Sequence, residues 1–179
     1  MRILTLVLCF TTSLGFAQTN TLNSFVAKDF TILDSASGDL NKDGFRDVVL
    51  ILKNSFEENN GDTTRPLLIL HGNKTKTYTL AAKNEHAVLC QGCGGVFGDP
   101  YENVVIKNNY FSVEHYGGSN WRWTRIITFK YDVKKKQYVL HKDARDSYHT
   151  SDPDKTTFQV HRKQDFGILP FVKYNYNKE

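Results

Sequence analysis

The stretch WRWTRIITFKYDV, residues 121–133, decides the fold class. Apolar and aromatic side chains occupy most of its odd positions, from Trp121 to Val133, and polar side chains occupy most of its even positions. This alternation predicts an antiparallel β-strand with one buried face and one solvated face. Arg125 is the exception on the apolar face. A buried arginine needs a carboxylate partner, and Glu114 and Asp99 are the candidates.

The segments around this strand continue the same pattern. Residues 109–116, NYFSVEHY, also alternate, and GGSN at 117–120 has the composition of a turn. On the other side, KKKQ at 134–137 predicts a solvated turn into the strand-like YVLH at 138–141. The tail FGILPFVKYNY predicts one more strand, and Pro170 within it indicates a sheet edge.

Two continuous apolar runs, DVVLIL at 47–52 and LLIL at 67–70, predict strands that are covered on both faces. The polar segment 54–66 between them predicts a long exposed loop. TYTLAA at 77–82 predicts a further strand, and the glycine-rich segment 86–101 predicts an irregular path. We therefore expect a mainly β fold of antiparallel meanders in one domain, either a sandwich or a partial propeller-like stack.

The amino terminus has the pattern of a secretory signal peptide. Arg2 precedes an apolar run, and Gly15 and Ala17 are small residues at the −3 and −1 positions of a cleavage site. We expect residues 1–17 to be removed and residues 18–179 to form the mature domain, secreted or periplasmic, with no transmembrane segment. A lipid anchor at Cys9 is the alternative.

Two further cysteines, Cys90 and Cys93, occur in LCQGCGG. Export into an oxidising compartment predicts a structural disulfide between them. A redox-active pair and a metal site that includes His86 are the alternatives.

The stretch GDLNKDGFRD, residues 38–47, concentrates oxygen ligands. Alternate residues of a tight loop point their side chains at a common centre, and Gly44 permits a sharp turn. This spacing predicts a calcium site, because calcium takes about six to eight oxygen ligands. A plain turn rich in Asn, Asp and Gly is the alternative. The predicted ligands are Asp39, Asn41, Asp43, the Phe45 carbonyl and Asp47.

The loop resembles the D-x-[DN]-x-D-G-x-x-D loop of FG-GAP/VCBS-type repeats. It differs from an EF-hand, because Leu50 stands at position 12 and a β-branched run follows instead of a helix. The resemblance implies that the loop joins two strands and binds calcium through the residues just named. The motif occurs once, whereas a propeller repeats it. The whole chain, with CGGVFGDP, HYGGSNWRW and DFGILPF, resembles a family of small exported bacterial proteins.

Aromatic residues suggest a second site. Tyr116, Trp121 and Trp123 form a possible ligand surface for a sugar ring, but both tryptophans share a face with apolar residues, and core packing is the favoured explanation for them. The histidines are scattered, and Glu114 and His115 point to opposite faces of a strand, so we expect no catalytic residues.

These observations predict an exported, non-enzymatic binding or structural protein that is stabilised by one calcium ion. Its partner is an unknown protein or glycan. The net charge of +4 is small, so we expect no nucleic-acid binding. An inhibitor or immunity-type protein acting on a cell-wall enzyme or toxin is the alternative, with segment 54–66 or 117–120 inserting into the target. A hydrolase is the second alternative.

Overall fold

The computed structural model describes residues 21–57 and 63–178. The predicted signal peptide, Cys9 and residues 58–62 of the predicted loop lie outside this part of the chain. The strands, in chain order, are β1 (Phe30–Gly38), β2 (Asp47–Asn54), β3 (Leu67–Gly72), β4 (Tyr78–Asn84), β5 (Tyr101–Lys107), β6 (Tyr110–Gly118), β7 (Trp121–Asp132), β8 (Gln137–His149) and β9 (Asp152–Arg162). Short helices are α1 (Lys163–Phe166) and 3₁₀ turns at Leu22–Phe25, Gln91–Gly94 and Phe171–Lys173.

The strands form two antiparallel meanders. Sheet A has the order β1-β2-β3-β4 and sheet B has the order β5-β6-β7-β8-β9. Each strand pairs with its neighbour in sequence, so every connection within a sheet is local. The inner faces of the two sheets pack against each other around one apolar core. The prediction of a mainly β, antiparallel fold is confirmed, and the arrangement is that of a β-sandwich.

The central strands of sheet A are apolar on both faces, as their continuous apolar runs predict. Val49 and Ile51 point into the core between the sheets. Val48, Leu50 and Leu52 point to the opposite face, where Leu22 and Phe25 of the first 3₁₀ turn pack near them. Both faces of β2 are therefore buried, and alternation between polar and apolar residues is absent for that reason.

In sheet B, the alternation along β7 matches its burial. Ile127 and Phe129 are fully buried in the core. The turn between β7 and β8 covers residues 133–136, one position earlier than predicted, because Gln137 already begins β8. The turn before β7 is tighter than predicted, because Gly117 and Gly118 still belong to β6 and only residues 119–120 bend.

The prediction of a strand in the tail is wrong. Residues 166–176 make only an isolated bridge between Val139 and Pro170, followed by the 3₁₀ turn. Pro170 has no N–H to donate to a ladder, so pairing cannot extend through it. The segment instead covers one end of the core, where Phe171 and Tyr174 are buried and the Asn84 side chain donates to the Tyr174 carbonyl at 2.9 Å.

Strand β9 did not stand out in the sequence, because DPDKTTFQVHR is polar and contains Pro153. None of its residues is buried. Strands β7, β8 and β9 are 12, 13 and 11 residues long, whereas β2 and β3 have 8 and 6. The strands of sheet B therefore run on beyond the apolar core, and this projecting part carries one of the two candidate sites. In the described chain, no helix is long and apolar enough to cross a membrane.

Candidate functional site

The 39–47 loop connects β1 to β2 and is built by its own side chains. Lys42 and Gly44 have φ angles of +68° and +86°, which turn the chain sharply. Asp39 accepts hydrogen bonds from the backbone N–H groups of Lys42 at 2.7 Å and Gly44 at 3.1 Å. These bonds hold the left-handed turn that glycine makes without strain.

The middle of the loop is closed by Asn41 and Asp43. The Asp43 N–H donates to the Asn41 side-chain oxygen at 3.0 Å, and the Phe45 N–H donates to Asp43 Oδ1 at 2.8 Å. The Asn41 amide also donates to Asp43 Oδ2 at 2.8 Å. The loop thus has the hydrogen bonds expected of a turn rich in Asn and Asp.

Asp47 fixes the loop to the core of sheet A. Its side chain is fully buried and accepts from the backbone N–H groups of Leu40 at 2.9 Å, Asn41 at 3.3 Å and Gly72 at 3.1 Å. Burial raises the pKa of Asp47, although the three N–H groups and nearby His71 oppose the rise. One carboxylate therefore joins the loop to the end of β3.

The donor set of the loop suits a hard cation, since every predicted ligand is an oxygen. Burial raises the pKa of Tyr138, and the negative charges of Asp47, Asp43 and Asp39 add to the rise. However, no group of three or more His, Cys, Asp or Glu side chains within residues 21–57 and 63–178 converges closely enough to hold a metal. The carboxylates of Asp39 and Asp47 instead accept hydrogen bonds from backbone N–H groups, and Asp47 Oδ2 already accepts two of them.

A second candidate site lies on the inner face of sheet B beyond the core. It is a cavity of about 410 Å³, which we call the sheet B cavity. Neighbouring strands pair Arg125 with Arg145, and Ser147 with both Trp123 and Thr157, so these side chains share one face of the sheet. The cavity is lined by Leu89, Trp123, Thr124, Arg125, Arg145, Asp146, Ser147, Thr157 and Gln159.

The buried arginine of the apolar face has a partner that the sequence did not identify. Arg125 donates to both oxygens of Asp143, at 3.1 Å from Nε and 2.6 Å from Nη2. Neither of the two partners expected from the sequence, Asp99 and Glu114, bonds to Arg125. Asp99 pairs with Arg65, and Glu114 lies opposite Ile126 on the other face of the sheet.

Asp143 also accepts from a second guanidinium. Arg145 Nη2 lies 3.2 Å from Asp143 Oδ2, and the Tyr174 hydroxyl lies 3.1 Å from the same oxygen. Burial alone would raise the pKa of Asp143, but the guanidiniums of Arg125 and Arg145 hold it below its usual value. Asp143 therefore bonds to the guanidiniums of both Arg125 and Arg145, which line the cavity.

His115 is buried beside this network, and its ring forms hydrogen bonds with the backbone. The Leu89 N–H donates to His115 Nε2 at 3.2 Å, so the ring proton is on Nδ1, which faces the Arg125 carbonyl at 3.3 Å. Burial lowers the pKa of His115 to about 4, which keeps the ring neutral. Both ring nitrogens have backbone partners, as expected for a structural histidine.

The predicted aromatic surface is divided between the two faces of sheet B. Tyr116 pairs with Thr124 and therefore lies on the face opposite Trp123, with its ring 5.5 Å from that of Phe97. Trp121 is 56% exposed and Trp123 packs against the edge of the core. The three rings do not form one platform, and core packing explains Trp123 only.

A second buried ion pair was not anticipated. Arg65 is fully buried and bonds to Glu57 at 2.8 Å and to Asp99 at 2.7 Å. The segment 54–66 is therefore not wholly exposed as predicted, because the residues on either side of its undescribed part are held inside the protein. The guanidinium of Arg65 lowers the pKa of Asp99 against the opposing effect of burial.

The two cysteines of LCQGCGG form the predicted pair. The Cys90 and Cys93 sulfurs are 2.10 Å apart, and the bridge encloses most of the 3₁₀ turn Gln91–Gly94. Since each sulfur is bonded to the other, this arrangement does not provide the two thiolates that a zinc site with His86 requires.

Comparisons with known proteins found no relative. No family model matches the chain, and no curated protein or solved structure is significantly similar to it.

Proposed function

We propose that this chain is an exported, non-enzymatic binding protein whose sandwich is stabilised by one calcium ion. The observation that carries the proposal is the oxygen-rich 39–47 loop, which turns at Gly44 and is tied to two strands of sheet A by buried Asp47. This arrangement agrees with the FG-GAP/VCBS-type resemblance, in which such a loop joins two strands.

The ion would be held by the predicted ligands Asp39, Asn41, Asp43, the Phe45 carbonyl and Asp47. Three carboxylates in one short loop repel each other, and a divalent cation offsets that repulsion. About five protein ligands leave places for water, so we expect binding in the range of extracellular modules, about 10⁻⁴–10⁻³ M. Bound calcium would hold the β1–β2 connection against the end of β3.

A binding role rather than catalysis is supported by the buried polar groups. Both ring nitrogens of His115 form hydrogen bonds with backbone groups, and Asp143 bonds to two arginines. A general base needs a free position at the proton that it removes. These two groups instead form hydrogen bonds that stabilise the end of the core.

Export is supported by the signal-like residues 1–17 and by the Cys90 and Cys93 pair, which persists in oxidising compartments. We propose a secreted or periplasmic location. N-terminal sequencing of exported material should begin at Gln18. A lipid-modified Cys9 at the mature terminus would overturn that assignment.

Thermal unfolding with millimolar calcium and with chelator tests the calcium proposal. A ligand at tens of Kd stabilises the folded state by about 2 kcal/mol. We expect Asp43→Ala to abolish this gain. Asp165→Ala is the matched control, because Asp165 also accepts a backbone N–H, from Arg162 at 2.7 Å, but lies in another turn. A wild-type midpoint that is the same in calcium and chelator, together with no binding heat, would show that the loop is only a turn.

A further inference from the structure

Two turns at one end of sheet A enclose a cleft of about 480 Å³, which we call the sheet A cleft. One wall is formed by residues 44–46, and the other is formed by residues 72–74 and 76–78. The cleft shares no lining residue with the sheet B cavity. Its volume falls within the range of about 300–1,000 Å³ that ligand pockets occupy.

The two walls of the cleft are held together by the backbone. Gly72 packs so closely on Arg46 that an added Cβ would be 2.1 Å from the Arg46 carbonyl oxygen. The Gly72 N–H also donates to buried Asp47, the residue after Arg46, at 3.1 Å. On the other wall, the Asn73 side chain accepts from the Thr77 N–H at 3.2 Å and donates to the Thr77 hydroxyl at 2.7 Å. The path of the chain on both sides of the cleft is therefore fixed by these contacts.

Three cations line the sheet A cleft, and none of the lining residues is Asp or Glu. Arg46 belongs to one wall, Lys74 and Lys76 belong to the other, and all three residues are exposed. Arg46 Nη1 donates to the uncharged Ser37 hydroxyl at 3.1 Å. Within residues 21–57 and 63–178, no salt bridge involves any of the three cations. Their charges are therefore not neutralised by a paired carboxylate.

The carboxylates of the adjacent 39–47 loop are bonded inside that loop. Asp43 accepts from the Phe45 N–H at 2.8 Å and from the Asn41 amide at 2.8 Å. Asp39 accepts from two backbone N–H groups, and Asp47 is fully buried. Because none of these carboxylates pairs with a cation of the cleft, ammonium and guanidinium N–H groups remain as donors for a ligand.

Two aromatic rings line the same cleft. Phe45 is 39% exposed and belongs to one wall, whereas Tyr78 is half-buried and belongs to the other. The Tyr78 ring packs against the outer apolar cluster of sheet A, and its Cε1 would be 3.6 Å from a Cβ added to Gly72. An aromatic ring supported in this way presents a rigid apolar face to the C–H groups of a sugar ring. The cleft therefore combines cations with apolar surface.

We propose that the sheet A cleft binds a sugar that carries a phosphate or sulfate ester. Such an ester has three free oxygens, and a phosphate monoester has a charge of about −1.5 to −2 at pH 7. Arg46 binds these oxygens through its planar fork, and Lys74 and Lys76 bind them as point charges. The sugar ring lies against Tyr78 and Phe45. This inference rests on the proposed binding function and does not depend on calcium in the 39–47 loop.

The test is calorimetric titration of the full mature chain with glucose 6-phosphate in metal-free buffer. Glucose is the matched ligand, because it keeps the ring and removes the charge, and we expect it to bind at least about tenfold more weakly. Inorganic phosphate keeps the charge and removes the ring, so it should bind severalfold more weakly than glucose 6-phosphate. Glucose 6-sulfate distinguishes the two esters, because the tighter of the two ligands identifies the ester that the cleft prefers.

Variants at the two ends of sheet A localise the site. Arg46→Gln, Lys74→Gln and Lys76→Gln should each weaken glucose 6-phosphate binding severalfold, and the triple variant should weaken it by about tenfold or more. Lys28→Gln is the control, because exposed Lys28 precedes β1 at the end of sheet A far from the cleft. It removes the same charge and should leave binding unchanged. Thermal unfolding establishes that each variant is folded, and Arg46→Lys keeps the charge if Arg46→Gln unfolds.

Three results would overturn the proposal: folded wild-type protein that does not bind glucose 6-phosphate at millimolar concentration, equal binding of glucose and glucose 6-phosphate, or a triple variant that binds like Lys28→Gln. Inorganic phosphate binding as tight as that of glucose 6-phosphate would overturn the assignment of a sugar ring.

Repeating the titration with Asp43→Ala separates this inference from the calcium proposal. The variant lacks a predicted calcium ligand and keeps all three cations of the cleft, so glucose 6-phosphate binding should persist. Loss of binding in the folded variant would contradict a site that is independent of calcium. Calcium-binding heat without glucose 6-phosphate binding would overturn this inference alone, and the reverse result would overturn the calcium proposal alone.

Discussion

Arg125 and Asp143 form a two-bond ion pair at the end of the apolar core, with the closer N–O distance at 2.6 Å. The pair lies between adjacent strands β7 and β8, and Arg125 also donates to the Tyr176 carbonyl at 3.0 Å. It therefore joins sheet B to the carboxyl-terminal tail. Arg125 and Arg145, which both bond to Asp143, line the sheet B cavity.

Removal of the carboxylate should leave a buried arginine without its counter-charge. We expect Asp143→Ala to lower the free energy of unfolding by about 3–5 kcal/mol, measured by urea denaturation. Asp152→Ala is the control, because Asp152 pairs with Lys155 in an exposed bridge with side-chain exposures of 45% and 84%. That change should cost under about 1 kcal/mol. Equal losses of unfolding free energy for the two substitutions would show that the buried pair stabilises the fold no more than an exposed pair does.

His115 should make the fold sensitive to mild acid. Burial lowers the pKa of His115 in the folded state to about 4, whereas an unfolded histidine titrates near pH 6.5. Between these values the unfolded chain binds more protons, so stability falls as pH decreases from about 6.5 to about 4. The full loss is on the order of 3 kcal/mol. His141, whose pKa burial also lowers, contributes in the same direction.

Urea denaturation of wild type and His115→Gln at several pH values measures this effect. The variant should be less stable at pH 7 but should lose less stability on acidification. His141→Gln is the comparison, because His141 is only partly buried. Its removal should reduce the dependence of unfolding free energy on pH less than removal of His115 does. The arginines lower the pKa values of Asp99 and Asp143. The contribution of these two carboxylates to stability is therefore lost only below about pH 4. A wild-type curve that is flat between pH 4 and 6.5 would contradict the role of His115.

The bridge between Cys90 and Cys93 should make a modest contribution to stability. It closes a loop with a sequence separation of 3, so the loss of chain entropy in the unfolded state corresponds to about 2 kcal/mol. We expect the double variant Cys90→Ala with Cys93→Ala to lose about that amount in urea denaturation. The fold should persist, because the strands of both sheets pair without the bridge, although Cys93 packs against the core between the sheets. Mass spectrometry of native protein that detects two alkylated thiols would show that the pair is not oxidised.

Part of the candidate site was visible in the sequence. The spacing of Asp39, Asn41, Asp43 and Asp47 predicts a loop turned at Gly44, and the structure has that loop with side chains bonded to neighbouring N–H groups. Such bonds join residues a few positions apart, so residue type and spacing are enough to predict them. The Asp47 bond to the Gly72 N–H spans 25 residues, and only the packing of β2 beside β3 produces it.

The amino-acid sequence by itself determined the central strands and their buried faces, since period-two alternation in β7 and continuous apolar runs in β2 and β3 indicate which residues are buried. Only the tertiary structure decided which distant groups meet. Arg125 is paired with Asp143, 18 positions away, and Arg65 with Asp99, 34 positions away. Tyr116 and Trp123 are separated onto opposite faces by the β6–β7 register. A local pattern reports the direction of a side chain, but register and the packing of two sheets decide what that side chain contacts.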